Sequence, residues 1–299
     1  GIVMYNRKDQ LTYHTMLLPG LILVLIFSLY PMVGIVMAFQ KFVPAKGIWG
    51  SEWVGLYNFK LLFMYPDVRK VIVNTLIIAV SKIILGIIVP VIFALLLNEV
   101  RIKWLKRTMQ TIVYLPYFLS WVILALMFQN IFSYTGMFNK IIEAFGGEPE
   151  MYLISNKWFR PIVIATDVWK NFGYSAVIYL ATITGIDMQL YEAADIDGAN
   201  RWQEMIHITL PELKATIVLM STLALGNILN AGFDQIFTMY SPLVYETGDI
   251  IDTYVYRMGL EKMQYSFGTA VGLFKSVISF ILIMSSYKLA DHFAGYKIF

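Results

Sequence analysis

Asp167, Lys170, Asn171 and Tyr174 fall at helical spacing within an apolar run from about 161 to 186. A second apolar run, 213–237, is interrupted by Asn227 and Asn230, with Asp234 one turn further on. A charge in the middle of a membrane-length apolar segment costs roughly 2.5–3.5 kcal/mol to insert, so it normally finds a partner or faces a polar cavity. Asp167 and Lys170 stand three residues apart, and pairing would neutralise both. Lining a pathway is the other reading. Asn227 and Asn230 suit bonding between helices or contact with solute hydroxyls, because an amide both donates and accepts. Covalent chemistry has little to work with. The sequence contains no GxxxxGK[ST] phosphate cradle, no nucleophile elbow, no HExxH pair and no GxGxxG turn. No carboxylate pair suggests a glycan-cleaving site. This chain is therefore not expected to hydrolyse ATP, and energy for vectorial work must come from a partner or an ion gradient.

The elements that must position these residues are membrane helices. Of 299 residues 58% are hydrophobic and only 14% charged, with a mean hydropathy of +0.65. A soluble domain needs about a quarter charged residues to cover its surface. The net charge of +3 is scattered, so there is no basic stripe for nucleic acid. Cysteine is absent, which removes disulfides, iron–sulfur clusters and thiol catalysis. His14, His207 and His292 are far apart, which argues against a histidine metal site. Hydropathy places six spans at about 17–39, 71–97, 108–132, 161–186, 213–237 and 267–289, in one membrane domain over 1–299. The first is too long for a signal-peptide core and lacks a clear cleavage site, so it reads as a retained span in which Pro31 predicts a kink. The second contains Lys82. Arg101, Lys103, Lys106 and Arg107 crowd one short connection, which marks it as cytoplasmic and, with six crossings, puts both termini inside. Gly268, Gly272 and Ser276 give the last span a face of small residues suited to close helix approach, within this chain or with another subunit.

The longest strongly polar interval, about 187 to 212, joins the fourth and fifth spans. Tyr191, Ala194, Gly198, Trp202, Met205 and Thr209 recur at helical spacing, with Gly198 marking a turn between two short helices. Asp197 is a candidate cap for the second helix. Thr209, Leu210, Pro211 and Glu212 have the form of a capping box that starts the next one. Asp187, Glu192, Asp195, Asp197 and Glu204 stand against Arg201 alone, a composition better suited to a protein partner than to an anionic lipid surface.

Within this interval Glu192-Ala193-Ala194, Gly198, Ile208, Thr209 and Leu210-Pro211 resemble, position by position, the EAA loop of the membrane subunits of bacterial binding-protein-dependent ABC importers. The phrase WVGLYNF at 53–59 is similar to a segment of sugar permeases, and Ser241-Pro242-Leu243-Val244-Tyr245-Glu246 resembles the polysaccharide-permease branch. The resemblance implies an all-α integral membrane protein of the type I importer fold, with six transmembrane helices and a cytoplasmic coupling helix. It implies that Glu192, Ala193, Ala194, Asp197, Gly198, Ile208, Leu210 and Pro211 form the docking loop for an ATPase. Asp167, Lys170, Asn171, Tyr174, Asn227 and Asn230 would line the substrate path. Asp167 and Lys170 depart from the uncharged lining of maltose-type relatives, and Lys170 is placed to attract an acidic sugar. The implied partners are a second permease subunit, two ATPases carrying ATP and Mg, an extracellular solute-binding protein, an oligosaccharide and the lipid bilayer. This chain itself would bind no cofactor. The implied location is the bacterial cytoplasmic membrane. An ion-coupled secondary sugar transporter built on Asp167, Lys170 or Asp234 is the alternative.

Overall fold

A computed structural model describes residues 7–294, and the tail with Lys297 lies outside them. The chain is mostly helical. It separates into two compact units, one of residues 1–64 and 255–274, the other of 65–254 and 275–299.

In the first unit, helix α1 (Arg7–Val24) passes into a π turn, Leu25–Leu29, and then a 3-10 segment, Tyr30–Phe39. The change of hydrogen-bond pattern straddles Pro31, which has no N–H to donate to an α-helical ladder. Gln40–Lys41 pairs antiparallel with Glu52–Trp53, and α2 (Tyr57–Met64) follows. Asn58 ties this connection together by donating to the carbonyls of Ala38 and Gln40, at 2.9 and 3.0 Å. Phe39 stacks on Trp53 and meets Phe59, so part of the aromatic 40–70 region is internal packing. Gly268 approaches Gly259 so closely that an added Cβ would lie 2.7 Å from the Gly259 Cα, whereas a Cβ at Gly272 would meet nothing within 4 Å. The small face is thus used by the chain itself at Gly268.

In the second unit, α3 (Pro66–Asn98) and α6 (Phe159–Thr184) make the most extensive helix pairing in the chain. Pro66 sits at the first helical position, where its missing N–H costs nothing. Between them in sequence come α4 (Lys103–Tyr114), a 3-10 turn at Leu115–Phe118, and α5 (Trp121–Ile131). The third predicted span is therefore not one straight helix, because its two limbs are bent by 104°. Beyond α6 lie α7 (Met188–Ile196), α8 (Arg201–Glu204), α9 (Lys214–Leu225) and α10 (Phe233–Met239). The fifth predicted span also breaks: 226–232 is non-helical, and Gly232 has φ +94° before α10 begins. The last helix is α11 (Tyr265–Ala294).

Two apolar clusters hold this unit. One gathers Ile78, Leu124, Phe128, Phe159, Val163 and Ile236; the other gathers Val91, Leu97, Tyr179, Leu180, Ile183 and Leu213. Among the described residues three helices are long and apolar enough to cross a membrane, or five if each bent pair is one span. Helix α6 is not among them, and its middle carries the polar set of the fourth predicted span.

Candidate translocation cavity and coupling loop

A cavity of about 350 Å³, within the usual size range of small-ligand sites, opens in the second unit where α3 and α6 meet the break after α9. Lys82, Asp167, Tyr179, Asn227, Asn230 and Gly232 are among its lining residues. Asn227 and Asn230 reach it because the chain unwinds at 226–232. Backbone that leaves a helix at this depth is tolerated where it lines a cavity.

Asp167 does not pair with Lys170 along its own helix. Its partner is Lys82 on α3, at 3.3 Å. Of the two readings left open by the spacing, the one-turn ion pair gives way to a pair across the two helices, because α3 packs beside α6. The Lys82 ammonium also donates to the Ala231 carbonyl at 2.7 Å and to Gln235 Oε1. Gln235 is fully buried, and its amide nitrogen donates to the Val163 carbonyl and Thr166 Oγ1. Lys82 therefore clamps the broken segment to both long helices. A Cβ at Gly232 would lie 3.0 Å from the Lys82 Nζ, which with the positive φ requires glycine there.

Lys170 is elsewhere. Its ammonium donates to the carbonyls of Pro116, Tyr117 and Leu119 at 3.3, 2.6 and 2.8 Å, at the elbow between α4 and α5. It also lies over the rings of Tyr117 and Trp121. Tyr174 stacks on Tyr117, with ring centroids 4.0 Å apart. Asn171 donates back to the Asp167 carbonyl one turn earlier. Gly173 lets α6 touch the elbow, since a Cβ there would lie 2.3 Å from the Val113 carbonyl oxygen. Of the six residues expected to line a path, Asp167, Asn227 and Asn230 share the cavity, whereas Lys170, Asn171 and Tyr174 are absent from its lining. Lys170 and Tyr174 instead brace the elbow. Sequence reasoning left Lys82 out of the lining set, although a lone charge in an apolar span was the signal for it.

The polar interval folds as two helices meeting at Gly198, which has φ +78°. The Gly198 N–H donates to the Asp195 carbonyl and the Ala199 N–H to the Ala194 carbonyl, at 3.1 and 2.9 Å. That is a Schellman stop, with glycine at its left-handed position. Asp197 is the C-cap of the first helix and does not cap the next one. Asn200 does so, accepting from the Gln203 N–H while Gln203 Oε1 accepts from the Asn200 N–H. Thr209 has helical backbone angles and no capping bond. Its hydroxyl instead meets the Tyr191 hydroxyl at 2.8 Å, binding the two arms of the interval. Asn200→Ala should cost about 1 kcal/mol of local stability, read as faster amide hydrogen exchange over 201–204; unchanged exchange would show the cap to be dispensable.

Glu192, Ala193 and Asp197 are exposed, and Glu192 makes no ion pair among the described residues. Ala194, Asp197, Gly198 and Ile208 line a hollow on the loop, whereas Leu210 and Pro211 are exposed beyond it. Arg201 pairs with Glu99 at 3.1 Å, joining the loop to the end of α3 in an exposed contact worth little by itself. Loss of hydration, and then the neighbouring Asp195 carboxylate, hold the Glu204 carboxyl above its ordinary range. Ionisation of Glu204 is thus harder than that of a free glutamate, and a cation brought close to it would ease it.

Residues 86–294 match the family described as binding-protein-dependent transport system inner membrane component. The chain belongs to that family. It is 44% identical over 286 residues, 95% of this chain and 89% of the other, to the polygalacturonan/rhamnogalacturonan transport system permease protein YteP of Bacillus subtilis (strain 168). Its fold is similar to a chain of a bacterial ABC transporter involved in the import of the acidic polysaccharide alginate, with a TM-score of 0.88 and 38% identity over 96% of this chain and 97% of that one. A crystal structure of the bacterial alginate ABC transporter in complex with alginate pentasaccharide-bound periplasmic protein is similar too, with a TM-score of 0.87 and 37% identity over 96% of each chain. The chain is accordingly a membrane permease of the ABC type I importer fold, a transport component and not an enzyme.

Proposed function

We propose that this chain is one of two membrane subunits of an ATP-driven importer, and that it passes oligosaccharides derived from polysaccharides across the bacterial cytoplasmic membrane. The observation that carries this reading is the cavity at the break after α9, where Asn227 and Asn230 join the lining contributed by the long helices α3 and α6. The relatives' names supply the substrate class. A solute-binding protein would deliver the sugar from outside, and a second permease subunit would complete the path.

In this reading the chain crosses six times with both termini inside, the two bent helix pairs contributing to the count. Two ATPase subunits, holding ATP and Mg, would receive the loop from Glu192 to Pro211. Glu192 would reach a basic group on the ATPase, Ala193 and Ala194 would let the surfaces approach, and Asp197 and Gly198 would form the helix stop. Ile208, Leu210 and Pro211 would join the loop to α9, so that ATPase closure is transmitted to the broken helix as rigid rocking.

The test is copurification with the cognate ATPase and solute-binding protein, followed by uptake into proteoliposomes. ATP with the loaded binding protein should drive oligosaccharide uptake that an ionophore leaves intact. Uptake that collapses with ionophore at constant ATP would overturn the reading in favour of ion coupling.

A further inference from the structure

Lys82 and Asp167 line the cavity, and Lys170 stands one turn from Asp167 with its ammonium held at the elbow. Asp167 bonds to Lys82 and also acts electrostatically on Lys170, one turn away. Among the described residues it is the carboxylate that acts on both lysines. Two buried cations against one anion leave a local charge of plus one in a region where water does not screen it. The three acceptors of Lys82 are not equivalent. The Ala231 carbonyl and Gln235 Oε1 lie closer to it than Asp167 Oδ1. The Asp167 side chain is 21% exposed and Lys82 only 9%. The longest of the three contacts is thus the one made by a cavity-lining carboxylate that is itself partly exposed.

We propose that Lys82 and Asp167 read the charge of the passing ligand, so that the cavity selects oligosaccharides carrying a carboxylate, such as uronides, over neutral ones. This rests on the oligosaccharide-importer reading and adds the chemical class. A sugar carboxylate entering the cavity is drawn by the excess positive charge and accepts the third Lys82 proton as Asp167 turns aside. A neutral sugar has only the amides of Asn227 and Asn230 to bind and cannot displace a carboxylate from an ammonium. Asp167 keeps Lys82 solvated when no ligand is present, which is why a cation can persist at this depth.

The experiment uses the whole reconstituted complex and a matched pair of probes, a short oligogalacturonate and its carboxyl-reduced, neutral counterpart, each presented at a concentration that loads the binding protein. The readout is the ratio of anionic to neutral uptake. The parent should favour the anionic probe. Asp167→Asn, which leaves Lys82 its two closer acceptors, should raise the ratio roughly tenfold, and Lys82→Gln should lower it by a similar factor. A residue with a purely structural role would reduce both uptakes together without moving the ratio. An unchanged ratio in an intact Asp167→Asn complex that still transports overturns the inference alone. A parent complex that moves neither probe overturns it together with the importer reading.

Discussion

Gly198→Asp should abolish uptake while the subunit still folds and assembles. The argument runs from backbone to interface. Gly198 occupies the left-handed position of the stop after α7, at φ +78°, and a Cβ built there meets nothing within 4 Å in this chain. Aspartate is among the non-glycine residues that tolerate that conformation, so the cost inside the subunit is about 1 kcal/mol and leaves it folded. Outside, the change places a second carboxylate beside exposed Asp197, in an interval already crowded with acid. If the loop seats in an ATPase cleft, the open space at Gly198 is where the partner lies, and the added charge and bulk fall on that contact. Uptake should be lost, with ATP hydrolysis no longer stimulated by loaded binding protein. Wild-type uptake by an assembled Gly198→Asp complex would remove the coupling role from this loop.

The second large effect is expected at Lys170. Replacing it with methionine keeps the length of the side chain and removes the donor from the carbonyls of Pro116, Tyr117 and Leu119. The Pro116 carbonyl keeps the Leu119 N–H, but the carbonyls of Tyr117 and Leu119 lose this donor on a turn where the path bends by 104°, and a buried carbonyl left unpaired costs about 1–3 kcal/mol. Lys170→Met should therefore lower the melting temperature of the detergent-solubilised complex by many degrees, or prevent its accumulation. Lys170→Arg, which retains donors and charge, should recover much of the loss. A Lys170→Met complex with parental melting would show that the elbow is held by Gly173 and the Tyr117–Tyr174 stack without the cation.

These two sites differ in how far they could be read beforehand. The turn at Gly198 was legible from local rules, because glycine weakens a helix and is the residue that most readily takes the left-handed conformation of a helix stop. The cap was expected at Asp197, and it falls at Asn200 because the Schellman bonds close through Gly198 and Ala199 and move the next helix start beyond them. Lys170 was legible as a buried charge needing partners, not as the clamp of an elbow. Its acceptors lie more than fifty residues earlier, on a segment whose bend no hydropathy profile reports. Hydropathy measures length and greasiness, so a straight span and two limbs meeting at a sharp angle give it the same apolar run.

What the sequence determined by itself was the membrane setting, the polar interval with its spaced Glu192, Gly198 and Pro211, and the presence of amides and charges inside apolar runs. Those are properties of composition and near-neighbour spacing, which act without regard to the fold. Tertiary structure alone decided which charges meet. Asp167 found Lys82, 85 positions away, in preference to Lys170 three positions away, because the α3–α6 packing brings the Lys82 ammonium to the cavity wall while the elbow carbonyls already hold Lys170. A buried charge takes the partner that geometry brings within hydrogen-bond reach, and only the packed helices fix which one that is.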